Sequence, residues 1–526
     1  MNESQRQSSD DAVVPRADSV IVAIAAGTLL GLIMIAQGAR GRAGEPTFIY
    51  AMHSPNDRSR FVTIRALVDH GTYAVGSIND DGSYTDESLL KQPGWDTIDK
   101  VRRPDNGLLY SSKPPLLPTL LAGEYWLLKK IPTISFSRDE GWQHTGQLDF
   151  QNHSLALVRI IVATANWIPF VFFLVLFSRL LDRLTANLWV RAFALGAAGF
   201  GTYLTGFSVT LNNHTIAAFF GFFALYAVIR IWADGRREWW RFALAGFCAS
   251  FAAVCELPAA SLAAALAVGL AWKAPRRTLS AFVTAALLPV AGHFGTTYLA
   301  TGGWSPAYAH VNWYDFPGSY WKVDPDTGRL VGTKLDPDTK QPVIDRRGID
   351  TLYEPWPVYL FHMTLGHHGI LSLSPIFILS LVGLIRILIG RAGSFAGTSG
   401  PPVEGVGVGQ SRSPSLIERF VADPIRLLGF VAAAITIVVF IFYLFFAGQR
   451  NYGGMTNGLR WLFWLIPLWL VFLPAGLEWK AWCPRFRCIA LVLLVLSAVS
   501  SFYATRNPWT RPWLHEVLNQ AGWIPY

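Results

Sequence analysis

Apolar runs of roughly twenty residues recur along the 526-residue chain, separated by short polar segments. Such runs are too long for strands and lack the polar face of a soluble helix. As helices they cover about 30 Å of hydrocarbon. The pattern predicts crossings near 19–38, 154–178, 188–207, 213–232, 240–256, 259–272, 279–300, 367–389, 425–447, 459–477 and 486–503. The first, VIVAIAAGTLLGLIMIAQGA, is long for the apolar part of a signal peptide and reads as an uncleaved span. A shorter stretch, 115–128, follows two prolines and is too short to cross comfortably. The expected fold class is an all-α polytopic integral membrane protein with about 11 transmembrane helices and interfacial helices in a long first outer loop.

The sides follow from the basic residues. If 115–128 lies on the surface, the loops holding Arg230, Arg236, Arg237 and Arg241, and Lys273, Arg276 and Arg277, all face the cytoplasm. So do the linker 390–424 and the loop EWKAWCPRFR, as the positive-inside rule expects. The outer side then collects 39–153, the turn NNHT, the corner at Glu256, the loop 301–366, the turn NYGGMTNG and the C-terminus. The Gly/Pro/Ser-rich segment 391–424 is expected to be a flexible linker. It divides a main module, residues 1–390, from a final three-span bundle and outer tail, residues 425–526.

Composition agrees with a bilayer. The chain is 52% hydrophobic with 21 Trp and only 15% charged residues, against about 25% in soluble domains. Its net charge of +9 is spread over short loops, which argues against a nucleic-acid partner. Cys248, Cys255, Cys483 and Cys488 have no structural-zinc spacing.

Candidate chemistry gathers on the outer side. In HSPNDRSRFVTIRALVDHGTY (53–73), Ser54, Asn56 or Asp57 can cap a helix whose apolar face includes Phe61, Ile64 and Leu67. Such a helix is expected in the interface plane, presenting Asp57 between Arg58 and Arg60 at membrane height. In YSSKPPLLPTLLAGEYWLLKK (110–130), Lys113 precedes two prolines that suit a helix start. That places a compact cation at the membrane surface, suited to a phosphate.

These two segments, in this order, resemble the GT-C glycosyltransferases, polytopic enzymes using polyprenyl-phosphate sugars, among them protein O-mannosyltransferases and lipid A aminoarabinose transferases. The likeness is strongest over 50–260, and NYGGMTNGLRW (451–461) resembles a late Gly-Gly…Arg turn of relatives. The resemblance implies transfer of a sugar from a polyprenyl-phosphate donor to a lipid, glycan or protein acceptor on the outer, periplasmic face. Asp57 is then the base, and Lys113, with Arg58 and Arg460 behind it, contacts the donor phosphate. Many members carry a second acid in the next outer turn, where this chain has Asn212, Asn213 and His214. His214 and Glu256 are further catalytic candidates, as proton shuttle and as an ionisable group at the edge of a span. No cofactor is assigned; a divalent metal stays open, with fewer carboxylates than a hard cation prefers.

The loop 301–366 is rich in Trp and Tyr and is expected to act as a lid. Its two DPDT copies signal turns of a small hairpin rather than calcium loops. His362, His367 and His368 are metal-capable but have no paired acid or cysteine in sequence, so no metal ligands are assigned. Membrane lipids are expected around the spans, and the location implied is a bacterial inner membrane. The alternative function is a secondary transporter or lipid flippase, but no internal repeat is visible and the polar residues gather at span ends, not at mid-span.

Overall fold

A computed structural model describes residues 52–137, 141–336, 338–339, 342–345, 353–391, 423–447 and 450–524. The expected first crossing at 19–38 and nearly all of the linker lie outside the described residues. The described residues are mostly helical.

Helix α1, Pro55–Asp69, begins at Ser54, whose hydroxyl accepts from the Asp57 amide; proline follows at the first helical position. After it come three short strands, β1 (Ala74–Gly76), β2 (Lys100–Arg102) and β3 (Leu109–Ser111), in the order β1-β3-β2. Helix α2, Leu116–Leu128, packs against α1. Its 13 residues reach only about 20 Å, short of a bilayer. A hairpin, β4 (Pro132–Ser137) and β5 (Gly141–Gln147), leads into the helical body.

Five helices among the described residues are long and apolar enough to cross a membrane: α3 (Ser154–Leu184), α5 (Asn213–Ala233), α8 (Pro275–Thr301), α11 (Pro424–Phe446) and α13 (Pro484–Arg506). Shorter apolar helices are α4 (Leu188–Phe200), α6 (Trp239–Cys255), α7 (Leu257–Lys273), α9 (Trp356–Thr364), α10 (Ile376–Leu388) and α12 (Arg460–Leu470). The expected crossing at 188–207 is broken: α4 ends at Gly201, Thr202 is extended, and a separate turn runs Tyr203–Phe207. The crossing expected at 459–477 is likewise broken, into Arg460–Leu465, Ile466–Leu470 and Leu473–Glu478. Pro467 and Pro474 stand near the starts of the last two pieces, where a missing amide hydrogen is tolerated. In the crossing expected at 367–389, the long helix starts only at Ile376, after Ser374 and Pro375.

Close helix packing uses small residues. A methyl on Gly383 would lie 1.9 Å from the Phe472 carbonyl, and one on Gly476 would lie 1.9 Å from that of Leu379. Two backbones meet there as membrane helices often do.

The all-α expectation needs amending outside the helical body. The segment 321–344 is a three-stranded meander, β6 (Trp321–Val323), β7 (Leu330–Leu335) and β8 (Pro342–Ile344). Each DPDT copy is one of its turns: Asp324 accepts from the Asp326 amide at 3.1 Å, and Asp336 from the Thr339 amide at 2.8 Å. A second small core of Val101, Tyr110, Ala307 and Tyr314 joins the first loop's sheet to this later loop.

Candidate functional site

Helix α1 is buried on every side. Its buried residues include Asn56, Asp57, Ser59, Arg60 and Arg65 beside Phe61, Val62 and Ile64. This corrects the expectation of an amphipathic helix lying in the interface with a wet polar face. The polar residues are instead enclosed by other loops, and each buried one needs a partner.

Asp57 has no exposed surface. Its carboxylate accepts from the Ser54 hydroxyl at 3.1 Å and from the Thr210 hydroxyl. Burial pushes its pKa from 3.8 up to about 7, against the opposing pull of these hydroxyls and of Arg60. Thr210 is itself held by the Trp509 indole N–H, 3.0 Å from its hydroxyl, and by Asn166, whose amide donates to the Thr210 carbonyl at 2.6 Å. Asn166 lies in a π-helical turn, Ala163–Trp167, within α3. Such one-turn irregularities frequently accompany functional sites.

Arg60 donates to the Asn56 carbonyl at 3.0 Å and to the Asn213 side-chain oxygen at 2.5 Å. Burial lowers its pKa to about 10 even with Asp57, Asp99 and Glu256 nearby. Asn213 passes the connection on, donating to the Cys255 carbonyl at 2.8 Å and to the Glu256 carboxylate. Glu256 also meets His214, with Nδ1 2.5 Å from Oε1. Both side chains are less than a tenth exposed. The sequon-like Asn213-His214-Thr215 is therefore committed to an internal network. Helix α5 begins here because Asn212 caps it, accepting from the Thr215 amide at 2.9 Å.

The phosphate-binding candidates divide. Lys113 is not a lone surface cation: its ammonium lies 3.0 Å from Asp99, with 20% and 15% of the two side chains exposed. Burial lowers its pKa, opposed by Asp99 and reinforced by Arg60 and Arg460. Arg58 turns aside and donates to the Asp96 carbonyl at 3.0 Å. Burial lowers its pKa as well, opposed by Asp96, Asp57 and Asp99. Arg460 donates to the Gly453 carbonyl at 2.6 Å and lies over the Trp509 ring at 4.8 Å. Gly453 is at φ +91, and a methyl there would stand 2.7 Å from Arg460 Nε. That position accepts only glycine without a shift.

Asp57, Lys113, His214, Glu256 and Arg460, drawn from five distant segments, thus gather in one electrostatic neighbourhood with Arg60 and Asp99. Arg58 stands at its margin. The residues missed from sequence are Asp99, Thr210 and Trp509, which carry no motif. In sequence Arg60 is visible only as a flank of Asp57, and its link to Asn213 has no signal in spacing. Beside Lys113, Ala300, Thr301 and Ala307 close a narrow cleft with Tyr73 and Tyr110, so the start of the later outer loop covers this end of the site.

Separately, Glu354, His362 and His367 bring one ligand atom each to within 4.8 Å of one another. Glu354 is the acid that the histidine segment lacked in sequence. An apolar cavity of about 290 Å³ opens between α10, α11 and α12, lined by Phe377, Leu384, Ile437, Phe440 and Trp469.

Helical content, span-length apolar helices and an enclosed cluster of ionisable groups define a helical protein compatible with a multi-pass membrane location. Compared with known proteins, the chain matches no family model and no curated sequence.

Proposed function

We propose that the protein is a GT-C-type glycosyltransferase of a bacterial inner membrane. It would move a sugar from a polyprenyl-phosphate donor to an acceptor on the periplasmic face. The observation that carries this reading is the buried Asp57 carboxyl, poised at about 7 beside a group of cations that includes Arg60, Lys113 and Arg460. A base is most effective when its pKa lies near the working pH. Cations fixed in a partly dry site stabilise an anion far better than they do in water.

In this mechanism the acceptor's hydroxyl or amine attacks the anomeric carbon of the donor sugar. The bond from that carbon to the phosphate oxygen breaks, and polyprenyl phosphate leaves with the bonding electron pair. Asp57 takes the acceptor's proton. Lys113 and Arg460 meet the charge developing on the phosphate, and Arg60 holds the Asp57 and Asn213 sides of the site together. His214, oriented by Glu256, supplies a second group able to pass a proton. The cavity lined by Phe377 and Trp469 is apolar enough for an isoprenyl tail. The loop 301–366 would act as a lid, with the remaining crossings of the expected set completing the membrane body.

The test is incubation of purified protein in nanodiscs with host membrane lipid extract, following polyprenyl-phosphate sugars by mass spectrometry. Wild type should deplete one donor species. Asp57→Asn should bind lipid but leave every donor intact. If folded wild type binds no polyprenyl phosphate, the reading fails and the transporter or flippase alternative takes its place.

A further inference from the structure

We infer that Glu354, His362 and His367 form a binding site for a zinc-class divalent metal ion, separate from the Asp57 cluster. The three residues offer one carboxylate oxygen and two imidazole nitrogens, all within 4.8 Å of one another. Two imidazoles and a carboxylate are a ligand set that Zn²⁺ accepts in tetrahedral geometry, leaving the fourth position for water or another side chain. Bonds of about 2.0–2.1 Å bring such ligand atoms to roughly 3.4 Å apart. Binding therefore requires the ligand atoms, now within 4.8 Å of one another, to draw together and the stacked His362 and His367 rings to turn so that both in-plane lone pairs face one point.

The surroundings are those of a metal centre. Glu354 and His367 are buried, and the Glu354 carboxylate accepts from the Tyr452 hydroxyl. An outer hydrogen bond of this kind fixes the orientation of a metal-binding carboxylate. Tyr452 is held for that contact in the left-handed region, at φ +60, and is buried completely. A non-glycine residue there is costly and persists where the surroundings over-determine it.

The neighbouring histidine sets the tautomer of the ligand. His368 Nε2 lies 3.1 Å from the Thr456 carbonyl, which only accepts, so that nitrogen carries the hydrogen. In the neutral ring Nδ1 then bears the lone pair and faces His367 Nδ1 at 2.5 Å. His367 Nδ1 therefore donates, and its own lone pair falls on Nε2, the form a metal requires. His362 lies against His367, with 3.9 Å between ring centres. His515 stands 5.2 Å from His367 and is a candidate for the fourth position.

The role of the ion follows from the connectivity. Glu354, His362 and His367 flank the end of the aromatic loop, Tyr452 belongs to the NYGG turn that also positions Arg460, and His515 lies in the C-terminal helix Trp513–Gln520. An ion here would pin three distant segments together. The site does not depend on the transfer reaction proposed above.

The full chain in nanodiscs would be stripped with EDTA, reloaded with Zn²⁺, desalted and assayed for metal by mass spectrometry. One zinc per chain is expected for wild type, with at least a tenfold loss of affinity in Glu354→Gln and in His362→Ala. X-ray absorption at the zinc edge of loaded wild type should give a nitrogen and oxygen shell containing two imidazoles. Retention of zinc by folded Glu354→Gln at wild-type affinity would overturn the assignment. So would a shell containing sulfur or lacking imidazole, an outcome that needs no variant to fold. Absence of zinc from folded, reloaded wild type would overturn it equally.

Discussion

Replacing Asp57 by Asn removes one ionisable group while keeping its size and one acceptor oxygen; Ser54 and Thr210 donate to different carboxylate oxygens, so one of the two hydroxyls must turn and accept from the new amide. In wild type the folded state holds the Asp57 proton up to about pH 7, whereas the unfolded chain releases it near 3.8. Between those values the folded state binds more protons than the unfolded one, so stability falls as pH rises; above about 7 the fall stops. The interval is about 3 pH units at about 1.4 kcal/mol each, which gives a loss on the order of 4 kcal/mol across the window. The carboxyl has no solvent exposure, so screening removes little of this. Asp57→Asn lacks this contribution. The difference between wild type and variant should therefore shift against wild type by several kcal/mol between pH 4 and pH 7, and stay flat above. Denaturation in nanodiscs at a series of pH values, by intrinsic Trp fluorescence, measures it. A difference that does not change with pH would refute the buried, proton-holding Asp57. In the transfer assay, wild-type turnover should rise through about pH 7 and Asp57→Asn should have none at any pH.

Ser54→Ala removes both the α1 cap and a donor to Asp57; a loss of about 1 kcal/mol is expected, with the pH window above extended upward, read from the same denaturation series. Asp99→Asn breaks the partly buried pair with Lys113 and should cost about 2 kcal/mol, between the values for exposed and buried pairs. Gly453→Ala forces a side chain into φ +91 against Arg460, and thermal denaturation should register a loss of at least ~1 kcal/mol together with weakened donor-phosphate binding. Unchanged stability in this last variant would mean that the NYGG turn does not hold Arg460 as described.

Several features were legible in the chain because they depend on neighbours in sequence. The start of α1 at Ser54-Pro55 follows from capping chemistry, and the DPDT turns follow from Asp accepting its own downstream amides. The shortness of α2 was readable from its prolines and its apolar length. The breaks in the segments 188–207 and 459–477 were less so. Hydropathy is blind to an extended Thr202, and it averages over Pro467 and Pro474. The apolar face of α1 reads in sequence as that of an interfacial helix, because polar residues without partners nearby in the chain would need water. Those partners, Thr210, Asn213 and Asp99, arrive from up to 153 residues away.

Composition and periodicity are local properties, and they were enough to read the helical class, the apolar runs and the identity of most ionisable groups at the site. Which of those groups meet was settled by the packing of the fold. It turned Arg58 outward and Arg60 inward, paired Lys113 with Asp99, joined His214 to Glu256, and brought Glu354 to the histidines that lacked an acid. The physical reason is burial. A charged or polar side chain removed from water must find a partner wherever the packing of distant helices places one, and no spacing along the chain records that choice.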